Sequence, residues 1–230
     1  MDEPAVCVRK PYVDYTLVKA DATMNDFRRF CEEAIEEENR KIIRSVCVLP
    51  DPRIITFCKK ILEGSGILLS TVNDFPLGRG GKMLKLFGAL TAKEAGADEI
   101  DTKINAGLLR ENNYAGIIDE IRVVTKVFPK ATKVIIESGH QWYTEKIIKE
   151  TTRLISVTGA FCVKTSTTVV DNITPEEKIQ HVVWMHEAVP ELTKKLAGGV
   201  RKLSQVEPLW KIIPPDKLIV GASTPFWKNP

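Results

Sequence analysis

The chain is poor in the residues that build metal sites and disulfide frameworks. It has three histidines, His140, His181 and His186, and five cysteines, Cys7, Cys31, Cys47, Cys58 and Cys162, with no Cys-x-x-Cys pair. An odd number of widely spaced cysteines argues against both a disulfide scaffold and a zinc site, and fits reduced thiols. No apolar run approaches the roughly 18 residues of a membrane span. The opening MDEPAVCVRK is charged and lacks the apolar stretch of a secretory leader. Charge of one sign is also in short supply: 33 Lys and Arg against 30 Asp and Glu give +3, with the basic residues scattered. No nucleic-acid or membrane partner is expected from that balance; the reduced thiols, with no leader and no span in view, make a cytoplasmic location the expectation. Finally, no Gly-x-Gly-x-x-Gly turn is present. GRGGK at 78–82 lacks the spacing and the Ser/Thr of a P-loop and reads as the start of a helix.

What is present is a regular alternation. Short Val- and Ile-rich runs at 13–18, 45–50, 67–72, 99–104, 133–138, 161–166, 195–200 and 217–222 read as strands covered on both faces. Amphipathic stretches separate them. Phe27, Phe30, Cys31, Ala34 and Ile35 make one apolar stripe over 24–39; Ile117, Ile118, Ile121, Val124 and Val127 make another over 114–128, ended by Pro129. Thr174-Pro175-Glu176-Glu177 carries an N-cap hydroxyl, a proline at the first helical position and the glutamate of a capping box. With no linker, repeat or low-complexity segment, residues 1–230 read as one α/β domain. Eight strand–helix units predict a closed (β/α)8 barrel, with an open doubly wound sheet as the fallback.

FCVKTSTTVV at 161–170 raises the chemical question, because Lys164 lies in a run otherwise suited to a buried strand. An uncompensated ammonium there costs several kcal/mol. The bland explanation is a buried stem with its head in solvent. Asp101 and Lys195, however, lie on other strands whose carboxyl ends would share the same barrel mouth. A lysine desolvated beside a second cation can serve as a neutral amine nucleophile, and a carboxylate nearby can shuttle protons, in part through water. That is Schiff-base aldol chemistry, which needs no metal or other cofactor.

These residues stand within a longer set: D14-Y-T-L, S-V-C47-V-L-P, F75-P-L-G, G96-A-D-E-I-D101, K133-V-I-I-E, V163-K164-T-S-T, K195-L-A-G-G-V-R201 and G221-A-S. From about residue 12 to 224 the chain resembles the deoxyribose-phosphate aldolases, class I aldolases on a (β/α)8 barrel. The resemblance implies Lys164 as the Schiff-base lysine, Asp101 as the proton-shuttling aspartate and Lys195 as the lysine that perturbs Lys164. It implies Asp14, Thr16 and Thr167 as polar lining of the mouth, and Gly198, Gly199 and Ser223 as the phosphate side; Thr168 and Thr224, next to them in the sequence, are expected to contact the substrate as well. The substrate it implies is a small phosphorylated sugar or aldehyde, cleaved reversibly from 2-deoxy-D-ribose 5-phosphate to acetaldehyde and D-glyceraldehyde 3-phosphate. A homodimer is compatible with it.

Three departures qualify the resemblance. Thr168 stands where the family reads glycine, at a position where unusual backbone angles would strain a β-branched residue. Lys103 replaces a small apolar residue and, two positions beyond Asp101, shares its face; it is expected to pair with Asp101 or to add a cation to the site. After Trp227 the sequence carries no match to the family's closing helix and C-terminal tail. An altered substrate, or a barrel kept as a binding scaffold, is therefore the competing reading. Elsewhere, Cys47 is expected to be an inert buried thiol, Glu137 a structural hydrogen-bonding carboxylate and His140 a loop contact.

Overall fold

The computed structural model describes residues 11–169 and 173–228; Cys7 and Val170 lie outside them. The strands are β1 Val13–Leu17, β2 Ile43–Val48, β3 Leu68–Asn73, β4 Glu99–Lys103, β5 Thr132–Ile135, β6 Cys162–Lys164, β7 Thr193–Ala197 and β8 Leu218–Ala222. All pair in parallel in sequence order, and β8 returns to β1, so the sheet closes into a barrel. The helices are α1 Met24–Ala34, α2 Glu37–Arg40, α3 Pro52–Leu62, α4 Gly81–Glu94, α5 Ala106–Arg110, α6 Tyr114–Val127, α7 Glu145–Ser156, α8 Pro175–Ala188 and α9 Glu207–Trp210. The open doubly wound alternative is excluded. Among the described residues no helix is long and apolar enough to cross a membrane.

Local chemistry accounts for the helix boundaries. Thr174 and Glu177 form the capping box expected at α8, and Thr23 with Asp26 forms a second one at α1. Gly80 caps α4, so GRGGK does start a helix. Most strand ends move by one to three residues from their sequence-based positions, and for three of them the local cause is plain. β7 stops at Ala197 because Gly198 and Gly199 turn to φ +87° and +82°, outside any strand conformation. β5 stops at Ile135, before Glu137 at φ +58°. β2 ends at Val48, before Pro50, which has no N–H for a ladder.

The aliphatic core lies between sheet and helices, built from residues such as Phe27, Ile55, Leu69, Ile100, Val124 and Val220, with a second cluster around Ile121, Val134, Ile148 and Met185. Inside the barrel the packing is polar. Asp14, Ser45, Ser70, Glu99, Asp101, Lys133, Lys164 and Lys195 are all buried and meet one another there. Barrels of this type commonly fill that space with Val, Ile and Leu. Here it is occupied by charge. The chain closes over β1 with Phe226 buried and Trp227 edge-on to Tyr15, its indole N–H donating to Asn39 Oδ1 at 3.3 Å.

Candidate active site

Strand alternation aims Asp101 and Glu99 of β4, Lys133 of β5, Lys164 of β6 and Lys195 of β7 into one space. Lys164 Nζ donates to Asp101 Oδ2 at 2.8 Å, and Lys195 Nζ donates to the same oxygen at 2.9 Å. Lys133 Nζ donates to Asp101 Oδ1 at 2.8 Å and to Ser70 Oγ at 3.0 Å. Asp14 Oδ2 adds ion pairs to Lys195 at 2.7 Å and Lys133 at 3.1 Å, while Ser45 Oγ donates to its Oδ1 at 2.6 Å. Glu99 completes the lower end by pairing with Lys133 at 2.9 Å and with Arg44.

The electrostatics follow from these distances. Burial alone would raise the Asp101 carboxyl, but Lys133, Lys164 and Lys195 outweigh it and hold Asp101 well below the usual carboxylate range. Burial opposes the Lys195 ammonium, yet Asp101 and Asp14 lift it above the ordinary lysine value, so it stays charged. Lys133 is raised in the same way by Asp101, Asp14 and Glu99.

Above this ionic floor opens a cavity of about 630 Å³. Lys164 and Lys195 reach it, as do Thr16, Thr167, Thr168, Gly198, Gly199, Ser223 and Thr224. Asp101 and Asp14 do not line it: both are fully buried one layer below, behind the lysines. Asp14 therefore supports the floor and is not the mouth residue the sequence implied. Arg201 and Phe75 also line the cavity; both belong to the quoted motifs, though neither drew a role from sequence.

No protein-family model matches the chain. It is 37% identical over 194 residues to a deoxyribose-phosphate aldolase of Streptococcus uberis, covering 84% of this chain and 83% of the relative. A deoxyribose-phosphate aldolase of Finegoldia magna is 39% identical over 191 residues, covering 82% and 84%. The chain belongs to the deoxyribose-phosphate aldolase family. Its members are lyases, and the fold agrees. A crystal structure described as a putative deoxyribose-phosphate aldolase from Coccidioides immitis superposes with a TM-score of 0.82 at 27% identity, over 97% of this chain and 85% of the other. The deoxyribose phosphate aldolase of Aeropyrum pernix, described as a unique tetrameric structure, supports the fold at a TM-score of 0.76 and 24% identity, over 92% and 85%.

Against that family, the departures resolve differently. Lys103 neither pairs with Asp101 nor lines the cavity, which corrects the expectation from face-sharing. Both Asp101 oxygens are already taken by other lysines, and Lys103 Nζ donates to the Ile104 carbonyl at 3.3 Å. Thr168 does take a left-handed conformation that favours glycine, at φ +70°, and lines the cavity. Its N–H donates to Ser166 Oγ at 2.8 Å. Glu137 is a structural acceptor, as expected, and its placement is informative. Its Oε1 receives Ser166 Oγ at 3.0 Å and the Thr167 N–H at 2.9 Å, fixing the loop after Lys164. Cys47 is buried, and burial followed by Asp101 pushes its thiol up, away from reactivity. His140 packs beside Trp142 and borders a separate surface cavity with Ser138 and His181. Lys133 is the main residue that sequence reasoning missed. Its motif was legible, but only the fold shows that it meets three carboxylates.

Proposed function

We propose that the protein is a Schiff-base aldolase acting on 2-deoxy-D-ribose 5-phosphate. The observation that carries this reading is the Lys164 ammonium, at the floor of the cavity and sharing Asp101 Oδ2 with Lys195. After losing a proton, Lys164 Nζ attacks C1 of the open-chain aldehyde. The carbinolamine loses water to give a protonated imine, which draws electrons from the C2–C3 bond. As that bond breaks, the C3 hydroxyl loses its proton and D-glyceraldehyde 3-phosphate departs. The remaining enamine is protonated at C2, and water hydrolyses the imine to acetaldehyde and free Lys164.

Within this sequence Asp101 is read as the fixed anion that faces the imine cation. Three lysines keep it ionised and Lys195 stays charged, so protons enter and leave through water in the cavity and are not stored on Asp101. The phosphate is assigned to the opposite wall. There Gly198 and Gly199, both at positive φ, offer backbone N–H groups, with Ser223, Thr224 and Arg201 beside them. A homo-oligomer suits this reading, and the Aeropyrum pernix relative is described as tetrameric.

Borohydride reduction in the presence of acetaldehyde tests the assignment. One two-carbon adduct per chain is expected, mapping to Lys164 by peptide mass. Lys164→Ala should abolish it and lower kcat by about 10³-fold or more. An adduct on Lys195 or Lys133, or a Lys164→Ala protein that still traps, would refute the mechanism.

A further inference from the structure

The buried charges inside the barrel form one connected network that runs past Glu99 to Arg44. Arg44 directly precedes Ser45 on β2, and period-2 alternation would turn it to the outside of the barrel. The β1–β2 ladder slips at this point: Val13 lies opposite Ile43 and Asp14 opposite Ser45, so Arg44 is passed over. Such a bulge re-aims a side chain, and here the guanidinium turns toward the interior. Its Nη1 donates to Glu99 Oε2 at 2.8 Å and to Asp14 Oδ1 at 3.1 Å, and its Nη2 donates to Glu99 Oε1. Glu99 pairs in turn with Lys133 at 2.9 Å, Lys133 with Asp101 at 2.8 Å, and Asp101 with Lys164 at 2.8 Å. Arg44 stands at one end of this line and Lys164 at the other.

Among the described residues the network holds four cations, Arg44, Lys133, Lys164 and Lys195, against three carboxylates, Asp14, Glu99 and Asp101. Net charge in such a space has little water to solvate it, so a neutral cluster is favoured. With every cation protonated one positive charge is in surplus, and the release of one proton removes it. Three of the cations are each held by two or more carboxylates: Arg44 by Glu99 and Asp14, Lys195 by Asp101 and Asp14, and Lys133 by all three. Burial opposes the charge on Arg44 and Lys195, but their carboxylates more than offset it and raise both above their ordinary values. Lys164 pairs with Asp101 alone among the described residues. Of the other titratable groups near it, Cys47, Cys162 and Tyr15 are pushed up by burial, Cys162 to about 12, so none supplies an anion. Lys19 and Arg201, on the cavity wall, are exposed and screened by solvent.

We infer, on the reading of Lys164 as the Schiff-base lysine, that Arg44 is a positioning residue of the aldol reaction. By neutralising Glu99 at the far end of the network, it leaves Lys164 as the surplus cation, the one that gives up its proton to become the amine nucleophile. Without Arg44, three carboxylates face Lys133, Lys195 and Lys164, and the network is neutral only while Lys164 keeps its proton. Two carboxylate bridges of roughly 5 Å each separate Arg44 from Lys164 by about 10 Å. At an effective dielectric of about 20, one unit charge at that distance moves a titration by about one pH unit.

The pH dependence of kcat/KM for 2-deoxy-D-ribose 5-phosphate tests this, with the borohydride-trapped acetaldehyde adduct on Lys164 counted over the same range. In Arg44→Met the acidic limb of the profile should move up by about one pH unit, and half-maximal trapping with it; on that limb kcat/KM falls about tenfold. Arg44→Lys retains the cation and should stay within about 0.3 unit of the wild type. Arg44→Met with Glu99→Gln removes one charge of each sign and should also return to within about 0.3 unit, which a mere loss of packing around Arg44 would not do. Should Arg44→Met fail to fold, Glu99→Gln alone reads the same balance in reverse and should move the limb to lower pH. A limb that stays in place in Arg44→Met or in Glu99→Gln, or a double variant that keeps the full shift, overturns the role of Arg44. A wild type that traps no acetaldehyde on Lys164 at any pH refutes the Schiff-base reading itself, and the role of Arg44 with it.

Discussion

Lys133 and Lys103 stand on adjacent strands, both buried, at 0% and 2% exposure, yet their surroundings differ completely. Lys133 meets Asp101 at 2.8 Å, Glu99 at 2.9 Å and Asp14 at 3.1 Å. Lys103 has the Ile104 carbonyl at 3.3 Å and no ion pair among the described residues. Burial, and after it the Lys85 cation, pulls the Lys103 ammonium down to about 8, with Glu137 and Asp74 offsetting only part. The same burial acts on Lys133, and three carboxylates reverse its effect. Strand pleating explains the contrast. Glu99 and Asp101 sit two residues apart on β4 and both reach Lys133, whereas at the level of Lys103 no strand supplies a carboxylate within pairing distance. A buried lysine is stable where the barrel surrounds it with anions, and a burden one layer higher.

Removing the compensated lysine should have the largest effect on stability. Lys133→Met leaves Glu99, Asp14 and Asp101 short of a cation in a fully buried space. Breaking such a network from one side costs about 3–5 kcal/mol, measurable by urea denaturation. Adding Glu99→Gln should recover part of the loss, since the two residues share a contact. A Lys133→Met protein within about 1 kcal/mol of wild type would show that the charges beneath the cavity do not act as a unit.

The same contrast marks how much could be read from sequence. Eight strand–helix alternations, the α8 capping box and the convergence of Asp101, Lys164 and Lys195 were legible, because period and capping are local signals and the barrel mouth follows from strand order. The placement of Lys133 was not, although K-V-I-I-E was in view, since its partners come from β1 and β4. The pairing expected for Lys103 failed for a related reason. Period-2 alternation gives the face of a strand but not the depth, and Asp101 was saturated by lysines from three other strands. The end of β7 is not legible either: K-L-A-G-G-V has the composition of a continuing strand, but its two glycines carry positive φ.

Lys103→Met sharpens the comparison from the other side. A lysine whose folded value is about 8 and whose unfolded value is about 10.5 binds fewer protons when folded between those limits. Stability of the wild type should therefore rise from this group as pH increases from about 8 to about 10.5. Below that window the buried charge is a full cost, on the order of 3 kcal/mol. Lys103→Met should then be the more stable protein at pH 7 by roughly that amount, with the advantage shrinking to little above pH 10. Urea midpoints of both proteins across pH 7–10.5 measure it. A pH-independent difference, or a loss on substitution, would mean that Lys103 is compensated in a way its contacts do not show.

Thr168 carries the smallest expected effect and the one nearest the chemistry. Its φ of +70° is natural for glycine and costs an L-residue about 1–2 kcal/mol, the more so with a β-branched side chain. The surroundings hold it there: Glu137 Oε1 receives Ser166 Oγ, and Ser166 Oγ receives the Thr168 N–H at 2.8 Å. Thr168→Gly removes the strain but also frees the unfolded chain, which returns roughly 0.4–1 kcal/mol. A net gain of about 1 kcal/mol is expected, raising Tm by about 2–4 °C in a domain of this size. Because Thr168 lines the cavity with Gly198 and Gly199, losing its side chain also widens the wall assigned to phosphate. KM for 2-deoxy-D-ribose 5-phosphate should fall a few-fold with kcat nearly unchanged, since Lys164, Asp101 and Lys195 keep their contacts. A lower Tm would mean that the threonine side chain contributes more packing than its backbone costs. A change in kcat with KM fixed would place Thr168 at the reacting carbons, away from the phosphate.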